Sequence, residues 1–72
     1  MAFNERFKAL RVERNLSQRQ VASGTGLTDT AVQNYEYGVR KPSYDAFVAI
    51  ADYFGVSLDY LAGRTDNPDV NT

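Results

Sequence analysis

Four times in this chain a serine or threonine stands just before a short apolar-periodic segment and a glycine just after it: Ser17 with Gly26, Thr28 with Gly38, Ser43 with Gly55, and Ser57 with Gly63. Hydroxyl side chains satisfy the free N–H groups at a helix start, and glycine suits the left-handed residue that closes a helix. Residues 17–63 are thereby cut into four short helices. Upstream, Phe3, Phe7, Leu10 and Arg14 fall at i, i+4, i+7 and i+11, which predicts a first helix from Asn4 to Arg14, ended by Asn15. No stretch shows the period-two alternation of a strand. The predicted class is all-α: five short helices with connections of a few residues.

The periodic positions also nominate a core. Val21, Leu27, Val32 and Tyr35 point inward from the second and third helices, with Ala31 beside them. Phe47, Ile50, Ala51 and Phe54 form the stripe of the fourth, and Leu58 and Leu61 that of the fifth. Phe3, Phe7, Phe47 and Phe54 are read as core rather than as a platform for stacking bases. The Ser17–Gln20 spacing is a capping box, whereas Gly24 puts a flexible residue inside the second helix at a cost of roughly 0.5–1 kcal/mol relative to alanine. The domain is expected to span residues 1–63. The polar segment from Arg64 to Thr72 contains Pro68, has no periodicity, and is expected to be a mobile tail.

Composition removes whole classes of chemistry. The 72 residues include no cysteine and no histidine, so disulfides, thiolate nucleophiles, Cys/His zinc sites and histidine acid–base catalysis are excluded. Asp45, Asp52, Asp59 and Asp66 recur every seven residues, but Asp45 and Asp59 each fall in a first helical turn, where complementing the helix dipole explains them. Paired carboxylates need a cleft that so small a bundle hardly offers. No enzyme, metal or cofactor is expected. No apolar run approaches the roughly 18 residues of a membrane span, and the start MAFNERFKAL lacks the pattern of a signal peptide. A soluble, cytoplasmic protein without a membrane partner is expected.

Net charge is −1, which taken whole speaks against a polyanion partner. Its distribution does not. Residues 1–41 hold seven basic and four acidic side chains, whereas residues 42–72 hold Arg64 against five aspartates. Such asymmetry suits a surface with one face toward a polyanion and an acidic far side.

Two helices joined by a tight glycine turn form a DNA-reading unit when the second is exposed along one face. With the inward positions assigned, Asp29, Thr30, Gln33, Asn34 and Tyr37 remain outward on the third helix. Amides and hydroxyls suit base edges in a major groove. The helix has none of the Glu–Lys pairs at i, i+4 that an idle surface helix commonly carries. The segment from LSQ through YEYG, the Arg-Lys-Pro-Ser turn and GVSLDYLAG resembles the Cro/CI-type helix-turn-helix family, also called the XRE family, over about residues 4–63.

The resemblance implies a lambda-repressor-like DNA-binding domain with the helix-turn-helix at helices 2 and 3. It implies a homodimeric, sequence-specific transcriptional regulator, expected to be a repressor, that reads the major groove with the helix about 28–37. By position, Gln18 and Arg19 would bind phosphate; Thr28, Asp29, Thr30, Gln33 and Asn34 would face bases or adjacent phosphates; Arg40 and Lys41 would contact backbone. Thr25 departs from an aliphatic residue common in the family. Asp29 either accepts from a cytosine N4 or stabilises the helix N-terminus. Tyr37 either meets a phosphate or covers the core edge. Arg11 and Glu36 are expected to pair, because each lies beside an inward position and because the resemblance implies the same. Phe54, Val56, Leu58 and Tyr60 are expected to form a dimer interface matched to two-fold-related half-sites roughly 34 Å apart. A second reading, a protein-interaction module whose main partner is a protein antagonist, draws on the acidic total and the few basic side chains.

Overall fold

The computed structural model describes residues 1–70, and among them the chain forms five α-helices and no strand: α1 (Phe3–Glu13), α2 (Gln18–Thr25), α3 (Asp29–Tyr37), α4 (Tyr44–Phe54) and α5 (Leu58–Ala62). The hydroxyls of Ser17, Thr28, Ser43 and Ser57 accept from the N–H groups of Gln20, Ala31, Ala46 and Tyr60 at 3.0, 3.0, 3.2 and 3.0 Å. Gln20 returns the favour to α2, its Oε1 accepting from the Ser17 N–H at 2.7 Å. Ala2, which precedes α1, has no oxygen to offer. There the Glu5 carboxylate accepts from the Ala2 N–H at 3.0 Å instead.

Two of the closing glycines show different reasons for the same residue. At Gly26, φ is +78° and a Cβ would meet nothing, so backbone conformation alone selects glycine. At Gly63, φ is +82° and a Cβ would also collide with the Met1 carbonyl. The N-terminal residues therefore pack against the end of α5.

Each helix drives one side chain wholly out of water: Phe7, Val21, Val32, Ile50 and Leu61 have no accessible surface. Burying one such side chain is worth about 1.5–3 kcal/mol. Phe3 and Phe47 complete the core edge, with ring centroids 5.5 Å apart, and Phe3 stacks on Phe7 at 5.6 Å.

Several expectations are corrected. Arg14 does not continue the buried stripe, because α1 ends at Glu13; it is exposed, with its guanidinium 5.1 Å from the Phe54 ring centre. Leu58 is 40% exposed rather than inward. Phe54 and Val56, expected on a dimer face, are buried in the core. Phe54 is 3% and Val56 6% exposed, which leaves little surface for a partner. Tyr60 is half-buried, one ring face covered by the Arg6 guanidinium 3.8 Å from its centre.

Arg6 itself is buried. Its Nη2 lies 3.3 Å from the exposed Asp66 carboxylate, and its Nε has no hydrogen-bond partner among the described residues. The segment after Gly63, expected to be mobile, turns back over this arginine, and the Pro68 carbonyl accepts from the Ser57 N–H at 3.0 Å. Asn71 and Thr72, the end of the expected tail, lie outside the described residues.

Candidate nucleic-acid interface

The relation of α2 to α3 starts from backbone. Gly26 closes α2, and the Leu27 N–H donates to the Ala22 carbonyl at 3.1 Å, so the chain reverses within two residues and Thr28 starts α3. Ala22, 3% exposed, leaves room for the turn. Thr25, in place of an aliphatic residue, donates its hydroxyl to the Val21 carbonyl at 2.7 Å and so keeps its polar group satisfied within α2.

The inward face of α3 consists of Val32, Tyr35 and Glu36, all buried. The carboxylate among them is held from two other helices. Arg11 of α1 donates through Nε to Oε2 at 2.6 Å and through Nη2 to Oε1 at 3.0 Å, a bidentate pair. Gln18 of α2 donates to the same Oε1 at 3.2 Å, and Arg11 Nη1 donates to the Leu16 carbonyl at 2.9 Å. The Glu36 side chain is 1% exposed and that of Arg11 15%. The hydrogen bond to Glu36 raises the Arg11 pKa above its ordinary value, against the opposing effect of burial. One carboxylate thus joins α1, α2 and α3.

The opposite face of α3 is open. Thr28, Thr30, Gln33 and Tyr37 are exposed; Asp29 and Asn34 are half-buried. Arg19 on α2 and Arg40 and Lys41 on the following loop are also exposed. None of the ten residues expected to meet DNA lies in the core. Gln18 is committed to Glu36 through one amide hydrogen, and its second remains for an external acceptor. Asp29 has a neighbour that the sequence did not reveal: its Oδ2 lies 3.5 Å from Arg19 Nε. Val39 and Tyr44, 71% and 75% exposed, flank Arg40 and Lys41. The signal for Tyr44 was available, since it precedes the buried stripe of α4 and falls off it.

Among the described residues, no group of three acidic side chains could hold a metal, and no helix is long and apolar enough to cross a membrane.

The helix-turn-helix family profile matches residues 7–61. The chain belongs to the helix-turn-helix family, of the Cro/CI type. Among its relatives in this family, the uncharacterised HTH-type transcriptional regulator YqaE of Bacillus subtilis is 37% identical over 68 residues, covering 94% of this chain and 59% of that protein. The cryptic phage CTXphi transcriptional repressor RstR of Vibrio cholerae is 36% identical over 64 residues, covering 89% of this chain and 57% of RstR. The chain therefore spans a little under three fifths of the length of these two relatives. The P22 c2 repressor, solved with a synthetic operator, superposes with a TM-score of 0.84 at 22% identity, over 90% of this chain and 98% of that one. That likeness establishes the fold of the helix-turn-helix domain.

Proposed function

We propose that the chain binds double-stranded DNA sequence-specifically as a homodimeric transcriptional regulator, with α3 in the major groove and repression as its mode. The observation that carries this reading is the division of α3 into two faces. Its buried face is fixed to α1 and α2 through Glu36, while Thr28, Thr30, Gln33 and Asn34 present hydroxyls and amides outward. That outward set is suited to base edges, and Arg40 and Lys41 beside it are suited to phosphates. The name of RstR, a transcriptional repressor 36% identical to this chain, supports repression, whereas BcrR of Enterococcus faecalis, 34% identical, is a transcriptional activator. Of the four side chains expected at a dimer face, Leu58 and the half-buried Tyr60 are the ones that keep accessible surface for a second copy, and the cytoplasm is where such a protein meets its DNA.

Selection of bound sequences from a duplex pool with a randomised centre tests the reading. The expected product is a two-fold-related motif, bound with a steep loss of affinity as salt rises. A chain that retains no sequence above the starting pool, at low or moderate salt, overturns it. Salt-insensitive binding to a protein instead of DNA would favour the interaction-module reading.

A further inference from the structure

Arg19 and Asp29 join α2 to α3 on the exposed side of the helix-turn-helix, with Nε 3.5 Å from Oδ2 and side chains 86% and 47% exposed. Asp29 is the first residue of α3, where Thr28 already caps the Ala31 N–H at 3.0 Å. The hydroxyl fills the cap, and the carboxylate complements the helix dipole and in addition meets Arg19. Alone, on a face turned toward phosphates, it would be repelled; beside Arg19 the pair is locally neutral. The closest approach to the carboxylate is made by Nε, and the two Nη groups of Arg19 carry donors of their own. They form a planar fork that matches O6 and N7 of guanine.

We propose that Arg19 reads a guanine in each half-site and that Asp29 is a positioning residue acting through it. This rests on the DNA-binding reading above, and it replaces the phosphate contact that family resemblance implies for Arg19. Asp29 limits the guanidinium to the start of the reading helix, where base edges lie, instead of leaving it free to swing onto the backbone. It also assigns the acid a role distinct from accepting a cytosine amino group.

The experiment is sequence selection from the randomised duplex pool by the full chain and by Arg19→Ala, Asp29→Asn and Asp29→Glu, followed by titration of duplexes bearing each single base change. Arg19 is largely exposed, so its truncation leaves the core intact; thermal unfolding of every variant checks that Asp29 substitutions do too. The full chain should prefer a duplex in which replacing one guanine costs about 5- to 150-fold in affinity. Arg19→Ala and Asp29→Asn should both flatten the preference at that position and keep it elsewhere, and Asp29→Glu should restore it. A uniform loss on all duplexes with Arg19→Ala, with the salt slope reduced by about one, overturns the proposal in favour of a phosphate contact. So does an Asp29→Asn effect confined to a cytosine that Arg19→Ala leaves preferred. If the full chain selects no sequence at all, the parent reading fails as well; if it selects one that none of the variants alters, this proposal alone fails.

Discussion

The Tyr53 ring lies against Gly24 so closely that a Cβ built there would fall 2.8 Å from Tyr53 Cδ1 and overlap Cε1. Gly24 is inside α2 and Tyr53 is near the end of α4, with its ring edge-on to Phe54 at 5.1 Å between centres. The residue that weakens the helix is the one that lets α4 approach it.

Gly24→Ala should therefore change sign with its neighbour. In the intact chain the new methyl displaces the Tyr53 ring, and the variant should lose about 0.5–2 kcal/mol despite the better helix former. In a Tyr53→Ala background the same change should gain roughly 0.5–1 kcal/mol. Urea unfolding of the four proteins measures both; a gain in both backgrounds would mean the ring moves aside freely.

Arg11→Met and Glu36→Leu should each cost about 3–5 kcal/mol, and the double variant less than the sum. Without Arg11, a carboxylate 1% exposed keeps only Gln18; without Glu36, the guanidinium keeps only the Leu16 carbonyl. Because Arg11 has a raised pKa in the folded chain, its share of stability is fully present below the ordinary arginine pKa and is lost only as pH rises through the still higher folded value. The arginine half of the pair should add no pH dependence near neutrality. Small single losses without coupling, read by thermal unfolding, would show that apolar packing alone holds α3.

Asn34→Ala should cost roughly 1–3 kcal/mol on the selected duplex and much less on random DNA, with Gln33→Ala acting likewise, since outward amides pair with adenine N6 and N7. Equal losses on both duplexes would reduce these side chains to positioning contacts.

Arg40→Ala and Lys41→Ala should weaken every duplex alike and each lower the salt slope by about one. Titration at several salt concentrations reads this directly. A changed sequence preference would move the loop from the backbone to the bases.

With Phe54 and Val56 in the core, the proposed self-association would fall to Leu58 and Tyr60. Leu58→Asp should weaken the dimer while leaving the melting temperature nearly unchanged, because Leu58 is 40% exposed. Sedimentation showing a monomer for the parent chain, both free and on an intact two-fold site, would remove the dimer.

What could be read from the sequence was local. A cap needs a hydroxyl three residues before an N–H, and a left-handed close needs a glycine, so Ser17, Thr28, Ser43, Ser57 and their glycines placed four of the five helices. The outward face of α3 followed by subtraction once Val32 and Tyr35 were taken as inward. Side chains whose environment is made by distant residues were illegible. Gly24 reads as a flaw until Tyr53 arrives from α4, and nothing local marks Arg6 for burial beneath Tyr60 and Asp66 from the other end of the chain. Leu58 was misplaced because five residues of α5 are too few for a period to declare itself. Arg19 and Asp29, ten positions apart on different helices, share no sequence pattern that announces their contact.

The convergence of Arg11 and Gln18 on Glu36 has a consequence for the thermodynamics of association. A recognition helix that rocked on its neighbours would have to surrender that motion on meeting its ligand, and part of the contact energy would go into ordering it. Here the orientation of α3 is settled by hydrogen bonds made in the unbound protein. The ordering that remains for a complex would lie in side chains such as the exposed Gln33 and the half-buried Asn34, and in whatever bending the duplex itself must undergo. Under the proposed DNA reading, preorganisation of this kind would leave sequence-dependent bending of the duplex, rather than adjustment of the protein, as the deformation cost that differs between sites.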